Sequence, residues 1–315
     1  MTHYRNSLPQ LGSKPFLTDG GIETTLIFHD GLTLPDFAAF YLLKTEEGEH
    51  ALKKYFQTYA SLAQKFGTGL ILESATWRAS MDWAAKLGYE SAELAAANLK
   101  AISILEEIRK TYSSEQTPVV ISGCIGPRGD GYVPANAMSR QEAEAYHREQ
   151  IEIFADAGAD MVSAITMNYY EEAAGIADAA RKAKMPLAIS FTVETDGSLP
   201  TAQSLKDAII QVDEETSGYP SYYMINCAHP THFSHVLQDD GLWISRIRGI
   251  RANASRKSHA ELNDSTELDI GDPCELADQY ADLKKMLPNL NVMGGCCGTD
   301  HRHIRQIAEK CLPMF

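Results

Sequence analysis

Long hydrophobic runs are missing from this chain. No apolar stretch reaches the roughly eighteen residues that a membrane-spanning helix needs, which excludes such a span. Basic clusters are missing too. With a formal net charge of -14 and no Lys/Arg-rich run, the chain is not expected to bind nucleic acid. Residues 1–14 hold no apolar signal core, so the cytoplasm is the expected compartment. There is no Gly-rich dinucleotide or phosphate loop, which leaves a nucleotide-bearing substrate without a recognisable seat. Pro/Gly/Ser linkers, low-complexity tracts and short internal repeats are also lacking, so residues 1–315 are expected to form one domain. Cysteine is sparse: Cys124, Cys227, Cys274, Cys296, Cys297 and Cys311. In a reducing compartment these thiols point to metal binding or catalysis before disulfides.

What is present is a regular alternation. Short β-rich runs lie at 15–18, 69–76, 118–123, 159–166, 186–192, 222–227, 247–253 and 290–294. Between them lie stretches of helical period. Leu52, Tyr55, Phe56, Tyr59 and Leu62 keep spacings of three and four, as do Leu99, Ile102, Leu105 and Ile108. Tyr146, Ile151, Phe154 and Ala157 predict another helix ending near Gly158. Strands alternating with helices over the whole length indicate parallel βαβ units. Eight such units predict an α/β fold of the (β/α)8 TIM-barrel class, with a doubly wound sheet as the alternative. The polar stretch 253–272 reads as a long loop on the catalytic face.

The densest chemistry lies in Gly294-Gly295-Cys296-Cys297-Gly298-Thr299, just beyond the last β-rich run. Neighbouring side chains on a regular strand point to opposite faces, so adjacent cysteines share a ligand only if the backbone leaves the strand. The flanking glycines allow that curl. Two thiolates gripping one soft cation is a better physical reading than a strained vicinal disulfide. Zinc wants further ligands, and the best candidate is Cys227, after Asn226 at the end of the sixth run. Sites of barrel enzymes gather at the C-terminal ends of the strands, where Asp19-Gly20-Gly21, Glu73 to Trp77, Cys124, Asn226-Cys227 and Cys296-Cys297 all fall.

Other signals keep two readings open. Asp19-Gly20-Gly21 either makes a turn with a helix cap, or binds a zwitterionic substrate end by close backbone approach. Glu73 either holds an amine or pairs with an arginine of the rim. Trp77 either faces a cationic onium group or fills the barrel mouth. Cys124, Cys274 and Cys311 read as packed or incidental thiols. His229, His232 and His235, beside Pro230, read as a solvated helix start rather than as metal ligands.

At these residues the chain resembles the homocysteine S-methyltransferase family of zinc-thiolate TIM barrels, which includes betaine–homocysteine methyltransferase. The resemblance runs from Asp19-Gly20-Gly21 through Ser122-Gly123-Cys124-Ile125-Gly126-Pro127 and Ser190-Phe191-Thr192-Val193 to Asn226-Cys227 and the terminal Gly-Gly-Cys-Cys-Gly-Thr. It implies Cys227, Cys296 and Cys297 as Zn2+ ligands, and homocysteine contacts at Asp19, Gly20 and Gly21. It also marks a departure. Members usually carry a Glu-Thr after strand four that helps hold the homocysteine amino group, whereas this chain reads Ala164-Ile165-Thr166-Met167. Glu73 is a possible substitute. The implied partners are a small thiol and a small onium methyl donor, with S-methylmethionine the first expectation. No folate or cobalamin module is expected. A methyltransferase acting on a different thiol acceptor is the alternative within the class, and a zinc-dependent hydrolase or a redox-sensing barrel are the alternatives from other classes.

Overall fold

The computed structural model describes residues 3–135, 137–239, 241–265 and 267–315. Its strands are β1 (Phe16–Leu17), β2 (Gly69–Glu73), β3 (Val119–Ile125), β4 (Met161–Met167), β5 (Leu187–Phe191), β6 (Tyr222–Asn226), β7 (Ile247–Ala252) and β8 (Val292–Gly295). They form a closed parallel barrel in sequence order, with β1 pairing both β2 and β8. Helices alternate with the strands, so the fold is a (β/α)8 TIM barrel. Among the described residues no helix is long and apolar enough to cross a membrane.

The strands are buried on both faces because the helices cover the outside and the barrel's own side chains fill the inside. Leu17, Leu70, Leu72 and Ile121 pack outward in the large cluster against the helices. Residues of the other parity, including Phe16, Ile71, Val120, Met161, Tyr222 and Val292, fill the interior. The helical readings hold with one correction. Helix Glu46–Phe66 buries Leu52, Tyr55, Phe56, Tyr59 and Leu62, is capped by Thr45, and ends at Gly67 in the left-handed region with φ 63°. Helix Ser91–Tyr112 buries Ile102, Leu105 and Ile108 together with Leu94 and Ile104, but Leu99 is exposed. Helix Arg140–Ala157 starts in a Ser139/Glu142 capping box and ends at Gly158, φ 89°.

The N-terminal mouth of the barrel is covered by residues 3–8. Tyr4 and Leu8 pack against the interior cluster, and the His3 and Tyr4 amides donate to Asp160 Oδ1 at 2.9 Å each. Asp160 is held in turn by buried Arg109 at 2.5 Å. The other mouth stays open. The polar stretch 253–272 is not wholly a loop: the Ser258/Glu261 capping box starts the short helix His259–Asn263 within it.

Candidate active site

The C-terminal ends of the strands surround a recess of about 780 Å³ that opens to solvent. Asp19, Gly20, Gly21, Glu73, Trp77, Cys124, Cys227, Cys296 and Cys297 all line it, together with Ile165 and Thr166 from the end of β4. Asn226 does not.

Cys227, Cys296 and Cys297 bring their sulfur atoms within 4.8 Å of one another. Cys227 Sγ lies 2.6 Å from Cys296 Sγ and 3.5 Å from Cys297 Sγ, and all three are free thiols. Burial grades across the trio, from buried Cys227 through intermediate Cys296 to exposed Cys297. Hydrogen bonds from Cys227 and Cys297 hold the Cys296 thiol well below its ordinary pKa, with the Arg251 charge adding to the effect. The same interactions push Cys227 and Cys297 up. One thiolate therefore forms readily and opposes the next two. A divalent soft cation removes that opposition, so the donor set fits zinc or a metal like it.

The backbone that presents these thiols curls, and among the flanking glycines it does so only on the far side of the cysteine pair. The left-handed residues are Gly298, φ 78°, and Cys227 itself, φ 55°. Gly294 and Gly295 serve close approach instead, since a Cβ on either would collide with the side chain of Thr18 or Thr299. A non-glycine residue at positive φ costs about 1–2 kcal/mol, and the surroundings must hold it. They do: the Cys227 amide donates to Arg251 O, and its carbonyl accepts from Asn253 Nδ2 at 2.9 Å and from His259 Nε2 at 2.6 Å. On the other side, the Thr299 amide and hydroxyl both donate to Cys296 O, and the Gly21 amide donates to Thr299 O. The turn after β8 is thereby stitched to the turn after β1.

Asn226, expected at the substrate, stands behind the wall. It is fully buried, and its amide is spent on neighbours: Oδ1 accepts from the Thr166 amide at 3.0 Å and Ser190 Oγ at 2.6 Å, while Nδ2 donates to Thr166 Oγ1 at 2.8 Å. Its task is to fix the end of β4, where Thr166 adopts φ 67°. The histidine reading is also corrected in one respect. His229 and His232 are buried rather than solvated, and His229 caps helix Pro230–Phe233. Neither joins the thiol cluster among the described residues. Cys124 lines the recess as a packed thiol, its pKa raised by burial.

The charges at the floor are organised by a residue that the sequence reading passed over. Arg251, at the end of β7, lies 2.7 Å from Glu73 Oε2 and 2.6 Å from Asp19 Oδ1, all three nearly buried. Asp19 Oδ2 also accepts from Tyr55 at 2.9 Å. Burial raises the pKa of both carboxyl groups, and Arg251 works against that rise. Of the two readings of Glu73, the geometry therefore gives the arginine pair. Tyr132 was passed over as well: its hydroxyl lies 3.0 Å from Cys227 Sγ, and its ring lies tilted against His259 with centroids 4.1 Å apart. Neither residue sits in a recognisable motif. Only the position of Arg251 near the C-terminal end of a β-rich run, Ile247–Ala252, could have pointed to it.

Two more polar residues line the recess. Glu23, two residues beyond Gly21, has its pKa pushed up to about 7, mainly by burial. Arg78 follows Trp77, whose indole donates to Ile165 O at 3.1 Å. The Arg78 guanidinium lies 3.9 Å from the Trp83 ring and 4.9 Å from the Trp77 ring, and Nη1 donates to Asp36 O at 2.6 Å.

Comparison with known proteins extends this picture. The family model for homocysteine S-methyltransferases matches residues 16–311. A selenocysteine Se-methyltransferase from Brassica oleracea var. italica is 23% identical over 319 aligned positions, covering 93% of this chain and 88% of the relative. A homocysteine S-methyltransferase from Escherichia coli (strain K12) is 25% identical over 240 positions, covering 72% of this chain and 74% of the relative. Among solved structures, the metallated form of the homocysteine methyltransferase MmuM from Escherichia coli shares the fold with a TM-score of 0.74. It is 20% identical, with 96% of this chain and 98% of that one covered.

Proposed function

The chain belongs to the homocysteine S-methyltransferase family, and from that premise we propose that it moves a methyl group from a small sulfonium or quaternary ammonium donor to the sulfur of homocysteine, giving methionine. S-methylmethionine is the favoured donor. The observation that carries this reading is the trio Cys227, Cys296 and Cys297, gathered within 4.8 Å at the mouth of the barrel. Three soft donors at an open recess suit zinc. When bound there, zinc supplies the Lewis acidity that brings a thiol pKa into the neutral range.

The remaining work falls to the chain's own residues. The new bond joins the acceptor sulfur to the methyl carbon, and the bond from that carbon to the donor heteroatom breaks, with its electron pair staying on the departing thioether or amine. The thiol proton passes to solvent. Charge is dispersed in such a transition state, so no acid–base pair is needed at carbon, and positioning supplies much of the rate. Gly20 and Gly21 leave the floor free of side chains. Asp19 and Glu73, neutralised in part by Arg251, set a field that favours a cationic donor. Trp77 offers an aromatic wall of the kind onium groups prefer. Tyr132 and His259 shield the Cys227 side of the cluster from water.

The test is methyl transfer by zinc-loaded protein from S-methylmethionine to homocysteine, followed as methionine by mass spectrometry with each substrate omitted in turn. Turnover should need both substrates and be lost in Cys297→Ala. Methionine formation that survives in Cys297→Ala, or its absence from the zinc-loaded wild type, would overturn the reading.

A further inference from the structure

We propose that Glu23 and Arg78 form a receptor for the α-amino-acid end of a substrate, Glu23 taking the ammonium group and Arg78 the carboxylate. The proposal rests on the homocysteine reading above and names the residues that give it specificity.

Among the described residues three carboxylates line the recess: Asp19, Glu23 and Glu73. Two are already engaged, because Arg251 lies 2.6 Å from Asp19 and 2.7 Å from Glu73. The end of β4 contributes only Ile165 and Thr166 to the wall. That leaves Glu23, whose carboxylate makes no ion pair or hydrogen bond with another residue among the described residues. Burial raises its pKa to about 7, and the charges of Cys296 and Asp19 push the same way. A group in that position is stabilised by an arriving cation. An ammonium ion suits it, because it brings hydrogen-bond donors as well as charge.

Arg78 has the complementary vacancy. Stacking on Trp83 fixes its plane, and one nitrogen is committed to Asp36 O. Its Nε is buried and has no hydrogen-bond partner among the described residues, although the residue lines the recess. A guanidinium held flat with donors to spare is the group that recognises a carboxylate most directionally. Glu23 and Arg78 influence each other's charge without forming a salt bridge. An amino acid carries its two charges on substituents of one carbon, so its receptor needs opposite charges that are near but not joined. This pair meets that requirement.

The experiment measures KM for homocysteine and for two truncated thiols with zinc-loaded wild type, Glu23→Gln and Arg78→Gln. 4-Mercaptobutanoate lacks the ammonium group and 3-aminopropane-1-thiol lacks the carboxylate. A charge-assisted hydrogen bond corresponds to roughly a 10- to 100-fold change in affinity. Glu23→Gln should raise the homocysteine KM by about that factor, far more than it lowers kcat, and leave the KM for 4-mercaptobutanoate unmoved. Arg78→Gln should do the same with 3-aminopropane-1-thiol as the unmoved partner. Zinc content and melting temperature serve as controls for misfolding. If the KM for S-methylmethionine rises instead, while that for trimethylsulfonium does not, the receptor belongs to the donor's amino-acid end. Unmoved values for both substrates overturn the proposal, as do equal losses for the full and truncated thiols. If wild type turns over no homocysteine, the reaction reading fails, and calorimetric titration with L-methionine still decides the receptor. Weaker binding of L-methionine by both variants then supports it, and unchanged binding refutes it.

Discussion

Replacing Arg251 by Met tests how the floor of the recess is held together. Arg251 is about 9% exposed, and its partners Asp19 and Glu73 are 7% and 6% exposed, so the substitution strands two carboxyl groups away from water. Breaking a buried ion pair from one side costs about 3–5 kcal/mol. With 315 residues and about 2.1 cal/mol/K of unfolding entropy per residue, that corresponds to a fall in Tm of roughly 5–8 °C. The loss should also depend on pH. Asp19 and Glu73 already have raised pKa values in the folded protein, so the native state keeps protons that the unfolded chain has released. Stability contributed by such groups falls as pH rises from the ordinary carboxylate range through the folded pKa. Removing Arg251 raises both values further and carries that window upward. Urea unfolding should therefore show a larger destabilisation near pH 8 than near pH 5.5. The triple replacement Asp19→Asn, Glu73→Gln, Arg251→Met should recover much of the loss, since it leaves no buried charge. A cost below about 1 kcal/mol, or one equal at both pH values, would refute this account.

Two other outcomes follow from single residues. A Cβ added at Gly21 would lie 2.6 Å from Cys296 O and 2.8 Å from Thr24 Oγ1. Gly21→Ala should cost about 1–3 kcal/mol and weaken zinc retention by displacing Cys296, and zinc retention equal to wild type in a competition with a chelator would contradict this. Glu23 titrates near 7 in the folded protein, so keeping it ionised costs stability above that pH and costs nothing once it is protonated well below. Glu23→Gln should raise stability at pH 8, by at most about 3 kcal/mol and by less where water in the recess reaches the carboxylate, and leave it unchanged near pH 4 in urea unfolding. A gain of equal size at both pH values would point to packing instead.

The barrel was legible because burial on both faces turns each strand into a short apolar run, and helical spacing fills the gaps. Even so, β2 ends at Glu73 rather than extending to Thr76, and residues 253–272 contain a helix that polarity concealed. The thiol cluster was legible because cysteines are few and two of them adjoin. Its supports were not. Arg251 approaches Glu73 across 178 positions of sequence and Tyr132 approaches Cys227 across 95, and neither separation leaves a local pattern. Of the glycines that flank the cysteine pair, Gly298 takes the left-handed curl, whereas Gly294 and Gly295 are small to permit contact. The second left-handed residue is Cys227, a position that glycine statistics would never mark. Glu73 and Asn226 show the same limit from the other side: a polar residue at a strand end reads as a ligand until its partners are seen.

The closure of the barrel sets the order in which the site can come into being. β1 has two residues and pairs on one edge with β8, whose last residue is Gly295. Until the chain has been synthesised past that point the barrel is an open sheet, with Asp19 on an unpaired edge and Cys227 the only thiol of its trio in existence. Until then two turns, those after β1 and β8, are not stitched together. On the function proposed above, capture of a metal by all three cysteines waits for that closure. The metal is then a clasp that joins β8 to β1.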